Sequence, residues 1–374
     1  MKPKPRRGKR DGREWRWTSH LSSGSIHHDM LMHFPRIVLI LLALVAAATS
    51  ARAETPPLLD PARVPHLAAE GRADYRRFLL QPTPRAFAIS ANGAWGWAAA
   101  IGDDPQATLD RALGNCATYG GTQCRIYARD LDIIWPEAAM PAPVTPRILL
   151  SGGPGWSLVP DGRFLWQGPQ AARGVYLWAH GRAAGGADSR GSQPQPHARA
   201  FNNAGYDVVR LDRDPETDET EAGAARMRLA LAELRARGYA RVVAAGQSRG
   251  AWDALAALDA PVRADAVIAI APAAHGPTGS PAHAWALDDL SRIVGAARAP
   301  TTRVVIATFT GDEYAPDPAG RAAAYGRLAQ RTAALLLLDR PPGLAGHGAG
   351  GDWRFTLRYA DCLLEFAEGR ASAC

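Results

Sequence analysis

A serine between two glycines is the first feature of this 374-residue sequence that could do chemistry. Residues 246–250, GQSRG, match the pattern Gly-x-Ser-x-Gly with Ser248 at its centre. The pattern follows the apolar run 242–245 and precedes AWDALAAL, whose composition favours a helix. A strand, a sharp turn and a helix in this order expose a serine hydroxyl, and the glycines let the two backbones approach closely. The sequence therefore predicts that Ser248 is a nucleophile.

A second Ser-Arg-Gly, at residues 189–191, shows why this context matters. Ala187 stands where the first glycine of the pattern should be, and no apolar run precedes it. Ser189 is therefore predicted to be an ordinary loop serine.

The elements needed to position Ser248 are indicated by apolar runs that alternate with polar, helix-like stretches after residue 146. RILLSG and GRFLWQG are predicted to form an opening hairpin. In residues 218–238 we expect a helix in which Asp218 and Glu221 form a cap-like pair. Alternation of this kind favours an α/β domain with a mainly parallel sheet. The six runs of buried-strand type are GVYLWAHG, GYDVVRLD, ARVVAAG, DAVIAIAP, RVVIATFTG and AALLLLD.

Residues 146–374 resemble the α/β-hydrolase family, in particular its small exported bacterial esterase-like members. The resemblance rests on GQSRG after a strand, on the alternating pattern, and on His180-Gly181 at the end of GVYLWAHG. It implies an α/β-hydrolase fold with a mainly parallel central sheet and flanking helices, and hydrolysis by a serine. The sequence differs from two relatives: Arg182-Ala183-Ala184 replaces the glycine run of lipases, and Ser248 stands where dienelactone hydrolases carry Cys.

The resemblance also implies where the partners of Ser248 lie. A serine nucleophile needs a histidine base and a carboxylate that orients it, and in this family the chain order is Ser, acid, His. Asp312, just beyond a strand in IATFTGDEYAP, is the predicted acid, with Glu313 and Asp317 as alternatives. His347, in the glycine-rich GLAGHGAGG, is the predicted base, because the other histidines precede this acid.

The oxyanion formed on attack needs preorganised N–H donors. The backbone N–H groups of Arg249 and Arg182 are predicted to supply them, with His180 shaping the loop. Residues 273–302 leave no room for a large cap domain, so we expect an accessible pocket. Trp252 and Trp285 are candidates to line it, with a place in the core as the alternative for both. A small soluble ester is the predicted substrate, and the two arginines raise the hypothesis of an acidic acyl or leaving group.

The N-terminal segment predicts export. Residues 37–48 form an apolar run too short to span a bilayer, and Ala51-Arg52-Ala53 follows, a pattern that signal peptidase cleaves. We therefore expect a signal peptide within residues 1–53, with a misassigned start and translation from Met30 or Met32. The mature chain would begin at Glu54 and be periplasmic or extracellular.

The formal charge of +7 belongs to that segment, since 33 basic and 33 acidic residues follow residue 53. Nucleic-acid binding is therefore not predicted. The sequence has no His-Glu-x-x-His and no phosphate loop with Gly-Lys-Ser/Thr, so neither a cofactor nor a metal is predicted. The expected partner is a small-molecule ester, without a stable membrane span after signal cleavage.

Residues 85–135 predict a small N-terminal α+β module. AFAISANGAWGWAAAIG reads as a hairpin turning at Asn92-Gly93, and DPQATLDRALGNC as a helix with Asp104 as N-cap. CRIYARDLDIIW adds one or two strands. The block resembles small exported bacterial modules of unknown function, which implies no activity and favours a packing or docking role. The predicted boundaries are a lead-in arm at 54–84, a Pro-rich linker at 136–146 and the catalytic domain at 147–374.

The cysteine count favours disulfides, because four cysteines occur in a chain expected to reach an oxidising compartment. Proximity favours Cys116 with Cys124 and Cys362 with Cys374, while the other two pairings stay open. A zinc site is not favoured, since neither pair has Cys-x-x-Cys spacing.

Two other functions remain open at this point. The first is an exported binding protein that retains the fold without catalysis, although the set Ser248, Asp312 and His347 argues against it. The second is a peptidase that uses the same triad, which the sequence does not separate from an esterase.

Overall fold

The computed structural model describes residues 55–100 and 104–374. The predictions for the signal peptide and the start of the mature chain lie outside these residues. Residues Glu54–Cys374 group into one compact unit that contains two β-sheets. Within the described ranges, no helix is both long enough and apolar enough to cross a membrane.

The described residues form twelve strands, eight α-helices and seven 3-10 helices. The strands are β1 (Arg85–Ile89), β2 (Trp95–Ala99), β3 (Arg125–Arg129), β4 (Asp132–Ile133), β5 (Ser151–Gly153), β6 (Trp156–Pro160), β7 (Gly174–Ala179), β8 (Tyr206–Arg213), β9 (Val242–Gln247), β10 (Ala266–Ile270), β11 (Ala299–Thr308) and β12 (Thr332–Asp339). The α-helices are α1 (Ala69–Leu79), α2 (Pro105–Thr118), α3 (Ala198–Asn203), α4 (Thr220–Ala236), α5 (Arg249–Ala256), α6 (Ala286–Ala296), α7 (Pro318–Ala329) and α8 (Trp353–Ala367). The 3-10 helices are Pro57–Leu59, Pro61–Arg63, Ala184–Gly186, Pro215–Thr217, Ala257–Asp259, Pro281–Trp285 and Ala349–Gly351.

The smaller sheet has the order β2-β1-β3-β4 and is antiparallel. Its first hairpin turns at Asn92-Gly93, as predicted. Asp104 caps α2 by accepting hydrogen bonds from the backbone N–H groups of Gln106 and Ala107, also as predicted. Helices α1 and α2 pack on opposite faces of this sheet, because successive strand residues point to opposite sides.

The predicted lead-in arm packs directly on this sheet. Tyr75 and Phe78 of α1 share a buried cluster with Phe87 of β1. Arg85 is wholly buried, and its Nη1 donates hydrogen bonds to three carbonyl oxygens at the end of α1, at 2.7–3.3 Å. The arm and the small sheet therefore share one core.

The larger sheet has the order β12-β11-β10-β9-β7-β8-β6-β5. Strands β7 to β12 run parallel, and they correspond to the six apolar runs predicted as strands. The prediction for the second strand of the opening hairpin is wrong: this strand is β6, and GRFLWQG is a loop. Its Phe164 and Leu165 are buried from that loop, so an apolar run alone misidentified a strand.

Helices cover both faces of the larger sheet. Helices α4, α5, α6 and α7 pack on one face and α3 and α8 on the other. The predicted cap at Asp218 is wrong, because the N-cap of α4 is Glu219 and Asp218 accepts a hydrogen bond from buried Arg213 at 2.8 Å. A contact from the neighbouring strand thus replaces a local capping bond.

Both disulfides predicted from proximity are present. Cys116–Cys124 closes the segment after α2, and Cys362–Cys374 joins α8 to the last residue of the chain.

Candidate active site

Ser248 lies on the turn between β9 and α5. Its φ of 54° and ψ of −116° lie in a region that residues with a Cβ rarely adopt. The turn is held in place by its own backbone: the Ser248 N–H donates to the Ile270 carbonyl at 2.9 Å, and the Ser248 carbonyl accepts from Trp252 N–H at 3.0 Å. At Gly250, a Cβ would overlap the carbonyl of Ala179 in β7. The strand, sharp turn and helix expected around Ser248 are thus present.

Asp312 and His347 are brought together by the loops after β11 and β12. His347 Nδ1 donates to Asp312, at 2.9 Å from Oδ1 and 3.0 Å from Oδ2. The two loops are joined one residue earlier, where Gly346 N–H donates to the Thr310 carbonyl at 2.8 Å. The Asp312 side chain is buried, and the His347 side chain is only 18% exposed.

The two alternative acids are positioned for other roles. Glu313 is exposed, and its backbone carbonyl accepts from Thr278. Asp317 caps α7 by accepting from Gly320 N–H at 2.9 Å. Asp312 is therefore the carboxylate of the predicted segment that bonds to His347.

A cleft of about 280 Å³ opens at the serine turn, beside the loop that follows β11. Ser248 and Tyr314 both line it, and the Tyr314 ring lies against the His347 ring with centroids 4.2 Å apart. Gln247 Nε2 donates to the His347 carbonyl at 3.3 Å. Among the residues that the structure describes, His347 Nε2 is buried and has no hydrogen-bond partner, Ser248 included. The lone pair of Nε2, which would accept a proton from the serine, is thus not engaged by another protein group.

The loop after β7 passes directly over Ser248. A Cβ at Gly181 would lie 3.3 Å from Ser248 Cβ, and the next residue, Arg182, lines the cleft. Arg249 is the first residue of α5, where N–H groups have no intrahelical partner. The two peptides predicted to donate to an oxyanion thus flank Ser248.

His180 fixes the geometry of this loop. Its Nδ1 donates to the Gly181 carbonyl at 2.7 Å, while Arg213 N–H donates to its Nε2 at 3.0 Å. A backbone N–H can only donate, so Nε2 is the acceptor and the proton is on Nδ1. Burial, reinforced by the charge of Arg213, lowers the pKa of His180 and favours this neutral form. Because the peptide is trans, the N–H of Arg182 points away from the Gly181 carbonyl that His180 holds.

Sequence reasoning missed Arg213 and Tyr314. Arg213 is wholly buried at the end of β8, and its guanidinium donates to the carbonyl of His180 and to Asp218. A charged residue at the end of an apolar strand was the available signal for Arg213. Tyr314, two residues after Asp312, had no distinguishing pattern.

Neither of the two candidate tryptophans lines the cleft, and only Trp252 takes the alternative place in the core. Trp252 is wholly buried in the core, with its ring edge-on to His275 at 5.0 Å. Trp285 is 62% exposed and outside the cleft. The cleft walls are instead made largely of small residues: Ala183, Gly185, Gly186, Ala273, Ala274, Gly276 and Pro277.

The guanidinium of Arg249 supports the cleft from behind. It donates to the carbonyls of Asp218 and Ala274, each at 2.8 Å, and its burial lowers its pKa. Across residues 55–100 and 104–374, no group of three or more His, Cys, Asp or Glu side chains could hold a metal ion.

The fold class follows from the strand order of the larger sheet and from the strands after which these residues lie. Taking β5 as the first strand, the spatial order is first, second, fourth, third, then fifth to eighth. Ser248 follows the fifth strand, Asp312 the seventh and His347 the eighth. The fold is that of the α/β-hydrolases. It carries in addition the small N-terminal α+β unit.

No protein-family model and no curated protein matches the sequence. Among solved structures, an esterase from Pyrococcus furiosus is 12% identical with a TM-score of 0.39, over 57% of this chain and 87% of that one. Esterase 2 of Thermogutta terrifontis is 16% identical with a TM-score of 0.40, over 60% and 95%. A protein of unknown function from Agrobacterium tumefaciens is 16% identical with a TM-score of 0.41, over 60% and 97%. At these identities the similarity concerns the fold alone.

Proposed function

We propose that this protein is a serine hydrolase that cleaves ester bonds of small soluble substrates through Ser248, Asp312 and His347. One observation carries the proposal. His347 is held at Nδ1 by a buried carboxylate, while its unpaired Nε2 lies in a loop that contacts the turn bearing a strained serine. A histidine oriented by a carboxylate and with a free Nε2 is suited to act as a general base, and we propose that Ser248 Oγ donates to this nitrogen when substrate is bound.

The proposed reaction proceeds through an acyl-enzyme. Ser248 Oγ attacks the ester carbonyl carbon and transfers its proton to His347 Nε2, while Asp312 stabilises the imidazolium. The N–H groups of Arg249 and Arg182 stabilise the oxyanion. Collapse breaks the bond to the alcohol, which takes the proton from His347. Water then attacks the acyl carbon and gives a proton to His347. The bond from the acyl carbon to Ser248 Oγ breaks, His347 returns the proton to Oγ, and the acid is released.

The cleft suggests the size and charge of the substrate. Its small volume and its alanine and glycine walls suit a short acyl group. Arg182 is exposed at the cleft and has no ion pair within the described residues. We extend the proposal to esters that carry a carboxylate, because no carboxylate lines the cleft to neutralise this cation. Matched neutral and anionic esters test this extension: kcat/KM should favour the anionic ester at low salt, and equal values would exclude it.

Export is part of the proposal. Two disulfides support it, because such bonds persist in oxidising compartments and are rare in the cytosol. Fractionation of cells expressing the full sequence should place the protein in the periplasm or medium.

Covalent labelling tests the catalytic proposal directly. A fluorophosphonate should label the folded protein at Ser248, and Ser248→Ala should abolish both labelling and ester hydrolysis, with kcat lowered at least about 10⁴-fold. Ser189→Ala is the matched control, since Ser189 lies in the second Ser-Arg-Gly of the chain and outside the cleft. This control should retain labelling and activity.

Two results would redirect the proposal. Absence of label together with no turnover of short esters would favour a non-catalytic binding protein. Labelling of Ser248 with cleavage of short peptides but not of esters would favour the peptidase.

A further inference from the structure

A hollow of about 780 Å³ opens on the small N-terminal unit, at the free edge of β2 between α1 and α2. Its volume lies in the range of small-molecule sites and exceeds that of the cleft at Ser248. The proposed hydrolysis does not involve it. Polar and aromatic side chains that line it include Glu70, Asp74, Trp95, Trp97, Asn115 and Tyr119.

Three aromatic rings surround the hollow. Trp95 and Trp97 are two residues apart on β2, so they share one face of the strand. Tyr119 follows the last turn of α2 and is 77% exposed. Unlike the core aromatic residues of this unit, none of the three contacts another aromatic ring within the described residues. Trp95 and Trp97 are half-buried because one side of each packs against the core that α1 shares with the sheet, so their outer surfaces and the exposed Tyr119 ring are the parts that a ligand can contact.

Polar groups are fixed around these rings. Asp74 accepts from Trp95 Nε1 at 3.1 Å and from Arg77 at 2.9 Å. Asn115 Nδ2 donates to the Trp97 carbonyl at 2.9 Å, which leaves its Oδ1 available as an acceptor. Glu70 adds a carboxylate that has no ion pair among the described residues.

Covalent and steric constraints hold the walls together. The Cys116–Cys124 disulfide closes the segment that follows α2 and includes Tyr119. At Gly96, a Cβ would overlap the backbone of Asn115 and Cys116, so glycine lets α2 lie directly on β2. The disulfide and the close packing at Gly96 therefore fix α2 and Tyr119 relative to β2.

We propose that the hollow binds a neutral glycan, a short oligosaccharide of pyranose rings. One face of such a ring presents C–H groups, which are attracted to the electron-rich faces of indole and phenol rings. Its hydroxyls donate to carboxylate and amide oxygens and accept from guanidinium, and all three groups are present here.

Two other ligand classes fit less well. In the β1–β2 ladder, Ser90 N–H donates to the Ala94 carbonyl and Ala100 N–H to the Pro84 carbonyl. Because hydrogen-bonded pairs alternate along an antiparallel ladder, the backbone N–H and C=O groups of residues 95 and 97 point away from β1. An added peptide strand would need the Trp97 carbonyl, which Asn115 already occupies. A cationic ligand would meet one unpaired carboxylate only, because Arg77 neutralises Asp74.

Calorimetric titration of the folded, disulfide-intact chain tests the proposal. The ligands are β-1,4-linked tetrasaccharides of glucose, of N-acetylglucosamine and of xylose, with tetralysine as the peptide probe. At least one tetrasaccharide should bind with saturation. Tyr119→Ala should weaken binding roughly 3- to 10-fold, and because Tyr119 is exposed its removal should leave the fold intact.

The matched control is Trp353→Ala, since Trp353 is 59% exposed and outside the hollow. It should bind as tightly as the wild type, and so should Ser248→Ala, which separates this site from the proposed hydrolysis. No saturable binding to any of the three sugars, unchanged affinity of Tyr119→Ala, or binding of tetralysine alone would overturn the proposal.

Discussion

Gly250 shows how the position of a reactive side chain depends on a residue without one. The carbonyl of Ala179 occupies the space that a Cβ at residue 250 would need. This contact lets α5 begin close to β7, which places Ser248 beside the loop that contains Gly181. The close packing of α5 against β7 therefore holds Ser248 in its strained backbone conformation.

We expect Gly250→Ala to lower the free energy of unfolding by about 3 kcal/mol and to remove most activity, since overpacking must displace β7 or α5. Gly326→Ala is the matched control, because Gly326 is inside α7 and a Cβ added there would meet no atom within 4 Å. It should raise the free energy of unfolding by about 0.8 kcal/mol. Urea denaturation of both variants measures the difference, and equal stabilities would contradict this account.

Single residues were predictable where their partners are close in sequence. Asp104 caps α2 with N–H groups two and three residues later, so local spacing revealed the bond. Asp218 instead bonds to Arg213 on a strand end, and no local pattern announces that partner. For Trp252 the sequence predicted the helix but not which of its faces meets the cleft.

At the scale of elements, the end of β8 controls the loop after β7. Arg213 bonds to His180 through both its backbone N–H and its guanidinium, and His180 in turn holds the Gly181 carbonyl. These bonds orient the peptide whose N–H is proposed to stabilise the oxyanion. His180 is therefore a positioning residue in the proposed mechanism.

His180→Phe should lower kcat by up to about 100-fold with little change in KM, because the loss concerns a donor that acts on the oxyanion. His180→Asn should recover part of this activity, since its Nδ2 can still donate to the Gly181 carbonyl. Steady-state kinetics of both variants on one short ester provide the measurement. Equal activity of the two variants would mean that His180 acts only by filling space.

The parallel strands were predictable because burial on both faces produces long apolar runs, as in β9 and β10. The strands at the β5 edge of the sheet were harder to predict. Strand β6 carries Trp156, Ser157 and Pro160, and its pairing with β5 depends on a turn rather than on hydrophobicity. The serine turn was predictable from two local glycines. The pairing of Asp312 with His347 was expected only from the chain order of the family, because it joins loops 35 residues apart.

At the scale of the whole molecule, the two sheets are connected by side-chain bonds. The Gln193 amide accepts from Thr83 N–H at 2.9 Å and donates to the Thr83 carbonyl at 2.8 Å. Asn203 donates to the Leu79 carbonyl at 3.2 Å. The small unit thus contacts the larger one directly, and the predicted linker at 136–146 is not their only connection.

Acid should destabilise the fold through His197. This side chain is wholly buried beside Tyr176, Trp178 and Phe355, and burial lowers its pKa to about 3. The unfolded chain binds the proton near pH 6.5 and the folded chain does not, so stability falls as pH drops from about 6.5 towards 3. The contribution is at most about 1.4 kcal/mol per pH unit.

His197→Phe removes the group that takes up this proton on unfolding. The free energy of unfolding of the variant should therefore fall less steeply between pH 6 and pH 4 than that of the wild type. Urea denaturation at several pH values measures the slopes. His66→Asn, at an exposed position, serves as control and should keep the wild-type slope. Parallel slopes for His197→Phe and wild type would assign the acid sensitivity to other groups.

The buried Arg85 has a consequence for how the chain opens. Burial lowers its pKa to about 10, so the side chain remains a cation at neutral pH while it bonds to the last carbonyls of α1. Unwinding α1 would leave that cation without partners in an apolar core. Deuterium exchange of the α1 amides should therefore follow the slow exchange of β1 rather than the rapid fraying of a terminal helix.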